Sequence, residues 1–352
     1  MRTISRLAAL ALLSLLAGCQ TARRAETTNP RVVEAAAWKA RNPVWRGVHL
    51  LIDSDSQLQV LQAQLPRLAA AGVNTVIVEV DYNFQFRSHP ELAAPTGVQP
   101  AHAHAFAAAA RKLGLRVIPQ LNCLGHQSWA GKTFALLTQH PDWDETPGQF
   151  PGNKGIYCRS WCPQNPDVNR TVFDLIDELT DAFEADAFHV GMDEVFLIAS
   201  EYCPRCKGGD PAVLFAQAVR DLHRHIVDER GLEMLMWGDR LLDATAMHGG
   251  EWEYAKNGTA GAVDLIPKDI VICDWHYEKH ADYPSVPFLL KKGFRVWPAS
   301  WQPLDAARAF SKFARAQNDP RIVGMLCTVW GKEKIDRVAG WPPLMEVLAG
   351  WR

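Results

Sequence analysis

Two adjacent carboxylates, Asp193 and Glu194, end the apolar segment Phe-His-Val-Gly-Met at residues 188–192. Adjacent side chains of a strand point to opposite faces, so both acids can reach one ligand only where the strand breaks into a loop. Two carboxyl groups this close oppose joint ionisation, which tends to keep one protonated while the other stays charged. The pair therefore predicts a proton donor beside an anion. The alternative is an exposed acidic loop.

Four of the eight cysteines form two closely spaced pairs that flank this segment, Cys158 with Cys162 and Cys203 with Cys206. Four thiolates at such spacing could hold a structural zinc ion. In an exported protein the same pairs could instead form two disulfides. The sequence leaves both readings open, and either would clamp the loops beside the two acids. Three further cysteines stand in apolar segments and are expected in the core: Cys123, Cys273 and Cys327.

The elements that must position these residues alternate regularly from Trp45 onward. Short β-branched or apolar runs are separated by longer stretches with apolar residues at three- and four-residue spacing. The candidate strands are Gly47–Ile52, Asn74–Val80, Leu115–Leu121, Ala187–Met192, Glu233–Trp237, Asp269–Cys273, Phe294–Pro298 and Val323–Val329. The candidate helices are Gln57–Ala71, Ala103–Leu113, Val172–Glu184, Pro211–Glu229 and Leu304–Ala316. The connection between the fifth and sixth strands is poor in helical pattern.

This alternation predicts an α/β fold, a single (β/α)8 barrel of the TIM type. An open doubly wound sheet would alternate in a similar way, but it normally has a glycine-rich phosphate loop after its first strand. The segment 53–56, Asp-Ser-Asp-Ser, is nothing of that kind. In barrels the loops after the strands surround one mouth, where the chemistry gathers. Asp193 and Glu194 follow the fourth candidate strand and should lie at that mouth.

The first 19 residues have the layout of a bacterial export signal. Arg2 and Arg6 precede an apolar run that is too short to span a bilayer comfortably, and small residues follow it. The ending Leu-Ala-Gly-Cys resembles a lipobox, which predicts acylation of Cys19 and a stable membrane anchor. Gln20 after the cysteine resembles the sorting pattern of outer-membrane lipoproteins. The alternative is an ordinary signal peptide with a chance cysteine.

Three segments follow from these predictions: a signal peptide at 1–19, a polar tether at 20–44 and the barrel at 45–352. The chain has 37 basic and 39 acidic side chains, a formal net charge of −2, and no long basic run. This balance argues against a broad phosphate-binding surface, and therefore against nucleic acid as a partner. The predicted partners are a membrane, through the lipid anchor, and a small substrate in the barrel mouth.

The segment His189-Val190-Gly191-Met192-Asp193-Glu194 resembles the His-x-Gly-x-Asp-Glu signature of glycoside hydrolase family 20, the β-N-acetylhexosaminidases. Met192 stands where that family usually has glycine. The likeness continues along the barrel at Trp45-Arg46-Gly47 in the first strand, Gly125-His126 after the third, Trp237-Gly238-Asp239 at the end of the fifth, Tyr277 beyond the sixth, and Trp330 at the end of the eighth.

The resemblance implies an exo-acting retaining enzyme that removes terminal β-linked N-acetylglucosamine or N-acetylgalactosamine from glycans, with the acetamido oxygen of the sugar as nucleophile. Glu194 would protonate the leaving oxygen, Asp193 would orient the amide, and Tyr277 would hydrogen-bond it. No cofactor is implied for catalysis. Substrate contacts or supporting roles are expected for Arg46, His126, His189, Trp237 and Asp239, and for the indoles predicted at strand ends, Trp275, Trp301 and Trp330.

Some positions depart from the family pattern. Asn122 stands where the family commonly has an acid that positions the histidine, and Lys332 stands where it often has a glutamate that contacts the sugar. The small domain that usually precedes the barrel has no counterpart before Trp45. Two alternative functions therefore stay open: a carbohydrate-binding surface lipoprotein that has lost turnover, and a two-carboxylate glycosidase with no N-acetyl requirement.

Overall fold

The computed structural model describes residues 30–352, apart from the side chains of Pro30 and residues 332–334. The chain divides into two units between Arg41 and Asn42. Of the first unit, the structure describes helix α1, Pro30–Arg41. The second unit, Asn42–Arg352, contains all the other elements of the described residues. Within the described residues, no helix has both the length and the apolar character needed to cross a membrane.

The second unit is built on a closed barrel of eight parallel strands. In chain order these are β1 Trp45–Leu51, β2 Thr75–Glu79, β3 Arg116–Cys123, β4 Ala187–Gly191, β5 Glu233–Trp237, β6 Val271–Trp275, β7 Arg295–Ser300 and β8 Gly324–Val329. Each strand pairs with its neighbours in sequence, and β1 closes the barrel against β8. The predicted (β/α)8 fold is therefore confirmed, with strand limits within a few residues of those expected.

Helices cover the outside of the barrel. They are α2 Asp55–Ala71, α3 Pro100–Lys112, α4 Ala135–Gln139, α5 Pro166–Ala182, α6 Pro211–His223, α7 Ser285–Lys291, α8 Leu304–Ala316 and α9 Pro342–Gly350. A single π-helical stretch, Arg224–Glu229, continues α6. The predicted helices all exist, whereas the short α4, α7 and α9 were not predicted. Short segments carry too few periodic apolar positions for the pattern to be recognised.

The local sequence explains these elements. The strands are buried at almost every position, as in Thr75–Glu79, because the helices cover one face and the barrel interior the other. Helix α5 begins at Pro166, and the side chain of Asn165 caps it by accepting from the N–H of Asp167. Its buried face carries Val168, Val172, Leu175, Ile176 and Leu179, at the spacing of an amphipathic helix.

Two irregularities set the shape of the barrel mouth. The register between β3 and β4 shifts between Gln120 and Cys123, next to the end of β4. Between β5 and β6 the described chain forms no α-helix, only the 3₁₀ turns Asp239–Leu241 and Thr259–Asp264. The expectation that this connection has little helix is thus confirmed. Residues 247–250 and 252–254 of the connection line the cavity at the mouth.

Candidate active site

A cavity of about 1620 Å³ opens at the carboxyl ends of the barrel strands. Side chains from several strand ends line it, including Asp193 and Glu194 after β4, Tyr277 after β6 and Trp330 after β8. A volume above the usual range for small-ligand pockets leaves room for groups beyond one sugar ring. The structure therefore brings the carboxylate pair, the tyrosine and the indole to one mouth, as the sequence predicted.

The backbone at the end of β4 is held in an unusual conformation. Gly191, Met192 and Glu194 have φ angles of 66°, 72° and 49°, the left-handed region that side-chain-bearing residues rarely adopt. A Cβ added at Gly191 would lie 2.3 Å from Oδ1 of Asn122, so glycine is required there for space as well as for φ. These turns let the successive acids Asp193 and Glu194 reach the same cavity. Strain of this kind is commonly found at functional sites.

His126 bridges the two acids. Its Nε2 lies 3.0 Å from Oε2 of Glu194 and 3.3 Å from Oδ2 of Asp193. Burial acts to lower the pKa of His126, but the charge of Asp193 and the contacts with both acids raise it well above its ordinary value. The imidazole is therefore a cation at neutral pH. His126 is therefore placed for the supporting role expected of it, because it brings a positive charge between the side chains of Asp193 and Glu194.

Asp239 anchors the acid loop from below and does not line the cavity. It is 2% exposed, and its Oδ2 accepts from the backbone N–H of Glu194 at 2.9 Å and from Nε of Arg240 at 2.6 Å. Its Oδ1 accepts from Nε1 of Trp275 at 3.3 Å. The expected contact between Asp239 and substrate is corrected accordingly, because this carboxylate is buried behind the cavity and hydrogen-bonds to residues that line it. Arg240, which sequence analysis missed, also donates to the carbonyls of Glu251 and Trp252 and so ties down the β5–β6 connection.

Four aromatic side chains form one wall of the cavity. The Trp330 Nε1 donates to the Tyr277 hydroxyl at 3.1 Å, and the ring of Tyr277 packs against Trp275 and Trp301 at centroid distances of 4.9 and 5.5 Å. Burial raises the pKa of Tyr277, so the phenol stays protonated and retains a proton to donate. Tyr277, Trp275, Trp301 and Trp330 all line the cavity, at the positions where the sequence placed substrate contacts.

Three other predicted substrate contacts do not reach the cavity. Arg46 stands at the amino-terminal end of β1, the opposite end of the barrel, where its Nε donates to the carbonyl of Gly72. His189 is fully buried, and its Nδ1 accepts from the N–H of Gly191. Trp237 is 1% exposed and packs against the rings of His189 and Trp330. Their predicted contact with sugar is corrected. The strand register places Arg46 at the end of the barrel opposite the cavity, and it turns the side chains of His189 and Trp237 into the barrel interior.

Two buried acids that sequence analysis missed also line the cavity. Glu79 is the last residue of β2 and Asp81 follows two residues later. Both oxygens of Glu79 are hydrogen-bonded: Oε1 accepts from the Asn122 amide at 2.9 Å and Oε2 from the Gln120 amide at 2.6 Å. His49 Nε2 lies 2.7 Å from the same Oε2. The position of both acids at the end of a buried strand, in the pattern Glu-Val-Asp, was the signal that could have found them.

Burial and neighbouring negative charge raise the pKa of both acids and so favour their neutral forms. Burial and the charge of Asp193 raise the pKa of Glu79 to about 8, and burial and the charge of Glu79 raise that of Asp81 to about 8. Asn122 donates its backbone N–H to Asp81 and its amide to Glu79. An acid at this position would add a third carboxyl group to the cluster. Asn122, which stands where the family commonly has an acid, is thus a hydrogen-bond donor to the two acids that surround it.

A partly exposed aromatic group stands at the rim, and we call it the rim cluster: Trp129, Tyr157, Phe196 and Trp252. Tyr157 is its centre, with ring centroids 5.5 Å from Trp129, 5.7 Å from Phe196 and 4.9 Å from Trp252. The side chains of Trp129 and Trp252 are 55% and 48% exposed. Large exposed indoles beside a cavity mark a surface suited to a further part of a ligand. No sequence pattern singled out these residues.

The predicted set of four cysteine ligands is corrected in one member. Cys162, Cys203 and Cys206 come together, but Cys158 does not join them, because its Sγ donates to the backbone carbonyl of Glu194 at 3.4 Å. The seven cysteines of the described residues are free thiols, and all are buried. The prediction that Cys123, Cys273 and Cys327 are buried is confirmed. Cys19 and the side chain of Lys332 lie outside the described part of the chain.

Comparisons with known proteins agree with this architecture. The family model described as "Glycosyl hydrolase family 20, catalytic domain" matches residues 49–335. No curated protein sequence matches the chain. Among solved structures, a chitobiase from Flavobacterium johnsoniae has a TM-score of 0.62 at 19% identity, covering 87% of this chain and 48% of its own.

Two further structures show the same fold. The β-N-acetylhexosaminidase from Bacteroides fragilis has a TM-score of 0.64 at 14% identity, with 88% of this chain and 66% of its own covered. The exo-β-N-acetylglucosaminidase from Vibrio harveyi has a TM-score of 0.62 at 17% identity, with 87% and 54% covered. The chain thus spans about half to two thirds of the length of these proteins. With 287 residues matched by its catalytic-domain model, the chain belongs to glycosyl hydrolase family 20.

Proposed function

We propose that the chain is a glycoside hydrolase that removes terminal β-linked N-acetylhexosamine from glycans with retention of configuration, using the acetamido group of the sugar as nucleophile. One observation carries the proposal: Asp193 and Glu194 enter one cavity beside the Tyr277 hydroxyl and the Trp330 indole. The three solved structures named above are a chitobiase, a β-N-acetylhexosaminidase and an exo-β-N-acetylglucosaminidase. Their activities support the substrate class proposed here.

In the first step the acetamido oxygen attacks the anomeric carbon, and a new C–O bond forms as the glycosidic C–O bond breaks. Glu194 gives its proton to the departing oxygen. Positive charge develops on the amide as the oxazolinium ring closes, and the Asp193 carboxylate balances it. The oxygen of the Tyr277 hydroxyl accepts from Trp330, which leaves the O–H free to donate to the acetamido oxygen. This hydrogen bond holds the acetamido oxygen near the anomeric carbon.

In the second step a water molecule attacks the anomeric carbon from the face that the leaving group left. Glu194, now a carboxylate, takes the proton of that water, and the oxazolinium ring opens to restore the acetamide. Two displacements at one carbon return the original configuration. The protein thus supplies one proton carrier and one anion, which accounts for adjacent acids where other glycosidases use a separated pair.

The surrounding charges suit this division of labour. The Nε2 of His126 lies 3.3 Å from Asp193 and 3.0 Å from Glu194, so a positive charge there offsets the charge of the Asp193 carboxylate. Glu79 and Asp81 are neutral at pH 7, so they add hydrogen-bonding groups to the cavity without adding charge. The proposal therefore requires an anion only at Asp193 in the first step, and at Asp193 and Glu194 once Glu194 has given up its proton.

The test compares nitrophenol release from the β-N-acetylglucosaminide and from the plain β-glucoside. The wild-type chain should cleave only the former, and Glu194→Gln should lose most of that activity because it has no proton to give. Binding of the amino sugar without any release would indicate a carbohydrate-binding protein that has lost turnover. Equal cleavage of both glycosides would indicate a two-carboxylate enzyme. Either result would overturn the proposal.

We also propose that the chain is exported and anchored to the outer membrane by acylation of Cys19. The charged start, the apolar run and the Leu-Ala-Gly-Cys ending support this. The measurement is fractionation of cells that produce the full chain. Wild type should sediment with outer membranes, and Cys19→Ala should not carry a lipid. A wild-type chain that is found without lipid would contradict the anchor.

A further inference from the structure

A second cluster of chemically active side chains lies outside the cavity just described. Glu145, Cys162, Cys203 and Cys206 are all buried, and their donor atoms lie within 4.8 Å of one another. The first two belong to the connection after β3, residues 124–165, and the last two to the connection after β4, residues 192–210. None of these side chains lines the cavity. Two loops that frame the candidate active site therefore meet at four potential ligands.

Glu145 points into this cluster with an oxygen that has no described partner. Its Oε1 accepts from the N–H of Ser200 at 2.8 Å, whereas its Oε2 is buried and makes no hydrogen bond. The residue has no exposed surface. An unpaired carboxylate oxygen in such a place is unfavourable unless a cation or a donor satisfies it. The neighbouring groups that face this oxygen are sulfur atoms, which are weak donors.

The backbone around Cys203 and Cys206 is shaped to present two sulfur atoms to one point. In the turn Cys-Pro-Arg-Cys, the N–H of Cys206 donates to Sγ of Cys203 at 3.3 Å. The N–H of Lys207 donates to the carbonyl of Cys203, and the N–H of Gly209 to that of Cys206. N–H groups directed at a sulfur stabilise its thiolate form. The third sulfur, of Cys162, lies 3.2 Å from that of Cys206.

We propose that Cys162, Cys203, Cys206 and Oε2 of Glu145 bind one structural zinc ion. Three thiolates and one carboxylate oxygen complete a tetrahedral set, with expected distances of about 2.3 Å to sulfur and about 2.0–2.2 Å to oxygen. Binding releases the three thiol protons to solvent, together with the carboxyl proton when Glu145 holds one. No oxidant or reductant takes part. The site has no open position, so its role is structural and not catalytic.

This assignment differs from the sequence-based expectation in its fourth ligand. Cys158 was expected to supply a thiolate, but its sulfur donates to the carbonyl of Glu194 instead. Glu145 replaces it, from a position 17 residues before Cys162 that no cysteine spacing would reveal. Three thiols and a carboxylate also fit metal better than disulfides, because an odd number of thiols leaves one unpaired. The ion would join the loop that carries His126 to the loop that carries Glu194.

The first measurement is the metal content of the full chain, purified without added metal, by mass spectrometry. Wild type should contain one zinc per chain, and Cys206→Ser should contain little or none. Cys158→Ser is the matched control, because it is an equally buried nearby cysteine, and it should keep its zinc. Loss of zinc from Cys158→Ser as complete as from Cys206→Ser would overturn the assignment. A folded wild-type chain without any bound metal and with a disulfide among these cysteines would overturn it as well.

A second measurement tests Glu145 and does not depend on a cysteine variant folding. Glu145→Gln keeps the size of the side chain but replaces an anionic ligand with a neutral amide. A chelator should remove zinc from this variant at a lower concentration than from wild type. Loss of an outer-shell partner weakens metal affinity about 10–100-fold, so loss of a direct ligand should lower that concentration by at least as much. Equal chelator resistance would remove Glu145 from the site. In wild type, titration of the three thiols with a mercurial should release the zinc in step with them, and release without thiol reaction would contradict thiolate ligation.

Discussion

Glu79 offers the sharpest test of the electrostatics at the barrel mouth. Its pKa is raised from 4.5 to about 8, first by burial and then by the charge of Asp193. An acid whose folded-state pKa is raised binds a proton more tightly in the folded than in the unfolded chain. Its stabilising contribution is therefore complete below the unfolded pKa and is lost as pH rises towards 8. Glu79→Gln removes this proton uptake and keeps the shape of the neutral carboxyl group.

The expected magnitude follows from one proton. Between pH 4.5 and 8 the folded chain holds about one more proton at Glu79 than the unfolded chain. The free energy of unfolding of wild type should thus fall relative to Glu79→Gln by about 1.4 kcal/mol per pH unit. From pH 6 to pH 7.5 the difference should change by about 2 kcal/mol. A flip of the Gln120 amide would pair its Oε1 with the new amide but would break its hydrogen bond to Asn122. This cost does not depend on pH and cancels when the two pH values are compared.

The assay is urea unfolding of wild type and Glu79→Gln at pH 6 and at pH 7.5. The difference in the free energy of unfolding between the two proteins is then compared between the two pH values. Glu178→Gln is the control. Burial acts to raise the pKa of Glu178, but hydrogen bonds from the Ser88 hydroxyl and from the backbone N–H groups of Arg87 and Ser88 lower it overall. Glu178 is therefore ionised in both states above pH 6, and its difference should not change with pH. A difference for Glu79→Gln that is equal at both pH values, or that changes in the other direction, would refute a neutral buried Glu79.

Three further substitutions test other parts of the account. Asn122→Asp replaces the amide donor to Glu79 with a third acid beside Asp81, and urea unfolding should show a loss of about 1–3 kcal/mol; unchanged stability would contradict the buried cluster. Met192→Gly relieves about 1 kcal/mol of left-handed strain but deletes a fully buried side chain at about 2–5 kcal/mol, so a net loss is expected and a more stable variant would show the packing argument to be wrong. Trp252→Ala should raise the KM for an N-acetylglucosamine disaccharide about tenfold with kcat unchanged, as uniform binding is lost from the rim cluster; an unaltered KM would remove it from the substrate path.

The parts of the fold and site that could be predicted are those specified by local sequence. Strands buried on both faces are continuous apolar runs, so the eight strands and their order were readable. The acids at the end of β4 were readable because a strand end in a barrel fixes which mouth its loop faces. The same argument would have found Glu79 and Asp81, which lie at the end of β2 in the same way.

The parts that failed depend on register and on distant loops. Arg46 and the aromatic residues of the strands were assigned by motif, but only the pairing of neighbouring strands decides the end and the face on which each side chain lies. Trp237 is thus interior, although it ends β5. Glu145 lies in a long connection with no cysteine near it in sequence, and only the folded loops bring it to Cys162 and Cys206. Such contacts carry no local pattern.

The central claim is that the sugar provides the attacking atom while Asp193 steadies the resulting cation. A thiazoline analogue of N-acetylglucosamine, which imitates the oxazolinium intermediate, tests this directly by competitive inhibition of nitrophenol release. Wild type should bind it far more tightly than N-acetylglucosamine itself, and Asp193→Asn should lose most of that preference together with kcat. An active wild-type enzyme that binds the thiazoline no better than the sugar, or an Asp193→Asn variant with unchanged turnover, would contradict the claim.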